Sequence, residues 1–378
     1  MNGRQDSISG NRIGWINGLK GLACICVFVH HFTLIYFPAA YNGPRDVTHF
    51  WNVDTFLSDC PFNFVLNGNF WVFVFILISG YVIFRKVRYI NEGELGIFII
   101  QRYLKLFVPV FFIETIIFIL CKLRCYPYLQ DIIGTYSILD LLFSAWYKVP
   151  ILSDNVFVGA FGMLKYIFLG TFIAMTLAMI ESELKSPSLF CVIVSVIFLF
   201  LFVAQQWFYC AIVLGSFVCF MNENKLLIRN KIVNILLFIL GLLGGGYPTG
   251  ITEPHGIYGN INFFDIKSPF IYHLFGALLV VIAIANLVHV QGVLERRWAR
   301  KLGDLSYAIY LFHWTIITLV MPYAERIPIQ SDEWKRIFIL FMDTLLILLI
   351  SELFMKFIYT PFSNLLYRLS KRNALDTK

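Results

Sequence analysis

The chain has 378 residues, 59% of them hydrophobic and only 14% charged, with a mean hydropathy of +0.74. Soluble domains sit nearer half apolar and a quarter charged, so a single water-soluble globular domain is excluded. The formal charge of +7 does not mark a nucleic-acid binder, because the basic residues stand in short clusters between apolar runs, as inner loops of membrane proteins do.

Met1 to Arg12 reads as a short cytoplasmic tail held by Arg4 and Arg12. From Ile13 to Phe37 the chain is long and apolar enough to cross a bilayer. It lacks the compact apolar region and cleavage site of a removed signal peptide, so this span acts as the signal. The run carries Lys20 near its start and His30 and His31 well inside. An ionisable group in hydrocarbon is costly and normally faces a bundle interior or a wet cavity. Lys20 and His31 are eleven residues apart. At about 100° per residue they project within about 20° of each other, about 16 Å apart along the axis. One helix face therefore holds a cation at the membrane surface and an imidazole near mid-depth, which reads as a path. The alternative is a snorkelling lysine and histidines that bond neighbouring helices. His30 points about 100° away from His31 and reads as structural.

An outer segment follows from Pro38 to Leu66. The second span, near Asn69 to Phe84, stops at Arg85-Lys86-Val87-Arg88, and the third runs from Phe98 to Cys121. Lys122 to Asn155 mixes apolar patches with charges and reads as interfacial helices or a re-entrant piece. Further spans are predicted over Val156–Ile180 (carrying Lys165), Leu189–Ala204, Phe208–Met221, Ile232–Tyr247, Phe270–His289, Leu305–Met321 and Ile337–Tyr359. The strongest basic cluster, Arg296, Arg297, Arg300 and Lys301, reads as an inner loop. The expected fold is all-α, a polytopic membrane helix bundle of about ten transmembrane helices with both termini cytoplasmic. Residues 1–12 and 362–378 are expected as cytoplasmic tails flanking one membrane domain over 13–361. Cys60, Cys121 and Cys125 lie near the outer face, where a disulfide is open; the other five cysteines read as small core side chains. No cysteine–histidine spacing resembles a zinc site, so neither a metal nor a bound cofactor is expected.

Three further stretches draw attention. Ile78-Ser79-Gly80-Tyr81 puts a hydroxyl and a bare backbone into a span, which suits close helix approach. Arg102 and Lys105 lie at i and i+3 ahead of Pro109; such a pair holds phosphates or anchors to anionic headgroups. Ser306, Tyr310 and His313 recur at i, i+4 and i+7 and line one face.

Taken together, Gly18-Leu19-Lys20-Gly21 with His31, Ile78-Ser79-Gly80-Tyr81, Arg102…Lys105…Pro109 and Leu302-Gly303…Ser306-Tyr307…Tyr310-Leu311-Phe312-His313 resemble, in that order, the acyltransferase-3 family. The closing span with Glu352 and then Pro361 is similar as well. Lys20 stands where the family has Arg, and Lys105 replaces the second Arg of its basic pair, so charge is kept and fork-shaped bonding is lost. The family's Trp-Ser-Leu…Glu pattern is not found; Phe161-Gly162-Met163-Leu164-Lys165-Tyr166 occupies that place. The resemblance implies a multi-pass enzyme of the plasma membrane that moves an acyl group, expected to be acetyl, from cytoplasmic acyl-CoA to a hydroxyl of a surface or exported carbohydrate. Donor phosphates are expected among Lys20, Arg102 and Lys105, with Arg85 and Lys86. His31 is expected as general base, since imidazole titrates near neutrality, and Ser79, Tyr310 or His313 as oxyanion donor. The rival reading is a transporter or flippase for a lipid-linked sugar or organic anion, its path lined by intramembrane His, Lys165 and Glu114. A non-catalytic sensor or scaffold is a third. Trp51, Trp71, Trp146 and Trp207 read as interfacial belts rather than sugar platforms.

Overall fold

The structure, a computed structural model, describes residues 13–43, 52–58, 60–184, 186–251, 254, 256–261 and 268–376. The tail over 1–12, Trp51 and Lys378 lie outside the described residues, as do the side chains of Lys371 and Arg372.

The described residues form helices and turns, with no strand. In chain order the main helices are α1 (Gly14–Tyr36), α2 (Gly68–Arg88), α3 (Leu95–Lys122), α4 (Leu164–Glu183), α5 (Pro187–Val203), α6 (Trp207–Glu223), α7 (Lys231–Gly245), α8 (Pro269–Asn286), α9 (Arg297–Val320), α10 (Asp332–Phe354) and α11 (Thr360–Asp376). Among the described residues seven stretches are long and apolar enough to cross a membrane, and α5, α6 and α7 are shorter apolar helices. This is the polytopic helix bundle that the apolar runs predict.

Helix ends follow local chemistry. Ser186 and Ser331 accept the amides of Leu189 and Trp334, and Asn230 accepts those of Ile232 and Val233, each answering donors that a helix start leaves open. Pro109 sits inside α3 without ending it.

One boundary differs from expectation, and two segments gain detail. The basic cluster at 297–301 is not a loop but the first turns of α9, because Arg, Trp, Ala, Lys and Leu contain no breaker. Residues 362–376 are helical: a π-turn over Met355–Tyr359 joins α10 to α11 without a break, and Pro361, which lacks an N–H to bond back, directly follows this irregular turn. The ambiguous stretch after α3 forms short helical pieces, including a π-helix over Ser144–Leu152 closed by left-handed Ser153. No disulfide joins any of the eight cysteines.

The chain divides into two compact units, the described residues of Met1–Tyr89 with Gly170–Ser306, and those of Ile90–Leu169 with Tyr307–Lys378. In the first, helices meet through small residues. A Cβ on Gly80 would strike the Ile212 carbonyl and one on Gly215 the Leu77 carbonyl, so α2 and α6 touch backbone to backbone. Gly241 and Gly276 do the same for α7 and α8. Around these crossings Phe73, Phe208 and Phe270 pack together, with ring centroids 4.9–6.0 Å apart. In the second unit, aromatic rings fill the core. Phe354 of α10 lies 5.7 Å from Phe112 of α3 and 5.2 Å from Phe312 of α9.

Candidate functional site

The expected site residues fall into two sets. Lys20, His31, Ser79, Arg85 and Lys86 belong to the first unit; Arg102, Lys105, Tyr310 and His313 belong to the second.

In the first unit, the glycines of Gly18-Leu19-Lys20-Gly21 have a packing reason. A Cβ on Gly18 would meet the Leu294 carbonyl, and one on Gly21 the backbone of Leu302 and Gly303. Asn17 donates to the Arg300 carbonyl (3.2 Å) and to Asp304 (3.0 Å), and the Cys24 thiol donates to the Ser306 carbonyl (3.0 Å). These contacts clamp the inner half of α1 to the segment around Gly303. Lys20 and His31 both sit on the half-buried face of α1, flanked by buried Leu19, Gly21, His30 and Phe32.

The outer end of α1 is held by a polar node. His30 donates from Nδ1 to the Leu66 carbonyl at 2.8 Å, since only an N–H can meet a carbonyl oxygen. Its ring lies against Gly68, where a Cβ would come within 2.5 Å, and 5.2 Å from the His31 ring. Next in the chain, Asn67 donates to the Tyr247 carbonyl at 2.8 Å and accepts from the Thr249 hydroxyl at 3.2 Å. His273 of α8, with no exposed surface, places Nε2 2.9 Å from both the Tyr247 oxygen and the Asn67 amide nitrogen.

Ser79 donates its hydroxyl to the Phe75 carbonyl one turn back, at 2.9 Å. Arg85 is committed to an ion pair: its Nε lies 3.0 Å from Glu223 of α6. Arg88 joins it, 2.7 Å from Glu223 and 2.9 Å from Glu181, and Tyr89 donates to Glu223 at 3.1 Å. The basic end of α2 is thus a structural tie to α4 and α6, and Lys86 is left exposed beside it.

In the second unit Arg102 and Lys105 are half-buried on α3. Tyr307 of α9, next to the Ser306–Tyr310–His313 stripe, donates to the Leu106 carbonyl. Tyr310 donates to the Ala160 carbonyl and Trp314 covers Gly159, so the 159–163 turn is pinned to α9. Fully buried His313 turns Nδ1 toward the carbonyls of Tyr310 (2.8 Å) and Ile309 (3.1 Å). Nδ1 therefore carries the proton, and Nε2 is the basic nitrogen of the neutral ring. The hydroxyls of Ser79 and Tyr310 must each leave a helix carbonyl before they can serve a reacting oxygen.

The model of the acyltransferase-domain family matches residues 13–356. The chain belongs to that family.

Among curated proteins, a 100-residue stretch is 37% identical to the peptidoglycan O-acetyltransferase OatA of Listeria monocytogenes, covering 25% of this chain and 15% of that protein. A 120-residue stretch is 28% identical to the O-acetyltransferase PaAT-1 of Phomopsis amygdali, covering 30% of this chain and 23% of that protein. No solved structure matches.

For this acyltransferase-family chain, sequence reasoning passed over several buried polar groups. Asn67 and His273 were missed, although a histidine inside the Phe270–His289 run carries the same signal as His31. So was Asp343 of α10, which is 0% exposed with neither carboxyl oxygen partnered among the described residues. Glu114, read earlier as part of a transport path, accepts from the Ser144 hydroxyl at 3.1 Å and is 1% exposed. Lys165 lies in the first turn of α4, within the candidate span Gly159–Glu183, its ammonium 5.7 Å from the Tyr166 ring centre.

Proposed function

We infer that this chain is a membrane O-acyltransferase that moves an acetyl group from cytoplasmic acetyl-CoA to a carbohydrate hydroxyl on the outer side of the plasma membrane. The family match over residues 13–356 carries this reading. The names of both relatives, O-acetyltransferases, support the acetyl group, and the peptidoglycan named for the Listeria protein supports a carbohydrate acceptor. Both termini lie in the cytoplasm on this reading, as the basic segments require.

Lys20 and Arg102 supply positive charge for the donor's phosphates. His31 takes the proton of the acceptor hydroxyl as its oxygen bonds to the thioester carbon. The tetrahedral oxyanion is met by one of Ser79, Tyr310 or His313. On collapse the carbon–sulfur bond breaks and the imidazolium returns its proton to the thiolate. The products are the ester and free CoA, and the base is regenerated.

The test uses the full chain in lipid vesicles with radiolabelled acetyl-CoA and a glycan extract. Label enters the glycan with the native chain, and His31→Ala lowers the rate by about 10²–10⁴-fold, the usual worth of a general base. Undiminished transfer by a correctly inserted His31→Ala protein removes His31 from the chemistry. Glycan flux across the vesicles with no label incorporated points instead to transport.

A further inference from the structure

The glycine contacts that clamp the inner half of α1 end at Gly21, about 15 Å along the axis from His31. Cys24 adds a bond to the Ser306 carbonyl, still two turns short of it. A base at the far end of such a lever has to be held locally, because a shift of about 1 Å can cost about 10²-fold in rate.

His30 supplies that hold. Its Nδ1–H donates to the Leu66 carbonyl, its ring fills the space that Gly68 leaves without a Cβ, and the Tyr41 ring stands 5.6 Å away at 66°. The His31 ring packs edge-on against it, at 60° and 5.2 Å. The next turn closes on the same residue, since the Thr33 hydroxyl donates to the His30 carbonyl at 2.9 Å.

The Leu66 oxygen is a fixed point and not a loop atom that follows α1. The amides of Leu66 and Asn67 both donate to the Asn63 carbonyl, at 2.9 and 2.8 Å. Asn63, itself buried, donates to the carbonyls of Ser58 (3.1 Å) and Gly246 (3.3 Å). Asn67 adds its bonds to Tyr247 and Thr249, and His273 braces Tyr247 from α8. Trp71 of α2 donates from Nε1 to the Phe64 carbonyl at 2.6 Å. Two asparagines thus bind the 61–67 turn to the 246–249 segment, Trp71 binds it to α2, and His30 hangs the outer end of α1 on it.

We propose that His30 is a positioning residue for His31: its Nδ1–H bond to the Leu66 oxygen holds the outer end of α1, and with it the His31 ring, against the braced 61–67 turn. The inference rests on the reading of His31 as general base. The bonding atom decides which side chains can replace it. Histidine Nδ1 and asparagine Nδ2 stand at the same remove from Cβ, so asparagine can give the same bond. Phenylalanine keeps a ring against Gly68 and His31 but has no donor.

The experiment measures kcat and the KM for acetyl-CoA with the full chain in lipid vesicles and a glycan extract. The variants are His30→Phe, His30→Asn, His31→Ala and the double variant of His30→Phe with His31→Ala. His30→Phe is expected to lower kcat by about 10²-fold with KM unchanged, and His30→Asn to keep most of the native rate. The double variant should be no slower than His31→Ala, since a residue that acts through another adds nothing once that other is gone. A further loss in the double variant, a native kcat in His30→Phe, or His30→Asn as slow as His30→Phe overturns the proposal. Full transfer by His31→Ala removes the base and this inference with it, whereas a slow His31→Ala beside a native-rate His30→Phe removes this inference alone. If His30→Phe does not insert, nitrogen NMR of the histidine-labelled native chain decides, with the His30 signal assigned by its loss in His30→Asn. A proton on Nδ1 of His30 is expected, and a bare Nδ1 overturns the bond.

Discussion

The His30 and His313 rings are set by what their nitrogens meet. His30 and His313 both give Nδ1–H to a backbone carbonyl, which fixes their tautomer and leaves Nε2 as the basic nitrogen. Asn67 joins the Leu66–Gly68 turn to Tyr247 and Thr249, so Asn67→Ala removes two hydrogen bonds from a buried node. The expected cost is about 1–3 kcal/mol, read as a lower melting temperature in detergent. Glu223→Gln leaves Arg85 and Arg88 without their shared carboxylate. It is expected to destabilise the protein by about 2–4 kcal/mol, discounted for partial exposure, and Glu223→Asp to recover part of the loss. Away from the spans, the Ser137 hydroxyl and amide hold the Asp140 carboxylate below its ordinary range. With the folded value depressed, this contribution is present above the unfolded value and fades as pH falls through the folded one. Ser137→Ala should move the Asp140 titration back up, as followed by carboxyl NMR shifts.

Helix pairing in the first unit depends on absent side chains. Where α2 and α6 cross, Gly80 and Gly215 each face a carbonyl oxygen of the other helix, and Ser216 donates to the Ile212 carbonyl at 3.0 Å. Gly215→Ala is expected to force the pair apart at a cost of about 1–3 kcal/mol. The measurement is thermal unfolding, with Phe217→Ala as a control two residues along; equal stability of Gly215→Ala and the native chain would deny the backbone contact. The π-turn at Met355–Tyr359 shows a different use of irregular backbone: it carries the chain from α10 into α11 without a loop.

Seen along its whole length, the chain alternates apolar helices with basic ends, and this alternation predicts its orientation. Green fluorescent protein fused to either terminus is expected to fluoresce, since it folds only on the cytoplasmic side; a dark fusion at one end with full expression would reverse that terminus. Much of the fold was legible beforehand. Runs such as Ile13–Phe37 and Phe98–Cys121 are long and apolar, and length with hydropathy is what selects a spanning helix. The family was legible because Lys20, His31, Ser79-Gly80, Arg102 and His313 keep their order along the chain. The helical continuation through 297–304 was missed because charge marks a membrane edge but does not stop a helix.

Composition and pattern alone settle that the chain is a helical membrane protein and set the order of its motifs along the chain, since hydropathy and motif spacing are local properties. How those side chains are engaged is a matter of distant partners. Arg85 and Ser79 look as available as Lys20 in the sequence, yet Arg85 meets Glu223 from α6, 138 residues away, and Ser79 turns back onto its own helix. Asn67 meets His273 across 206 residues. Only the folded chain brings such pairs within hydrogen-bond reach, because a buried polar group takes whichever partner packing supplies.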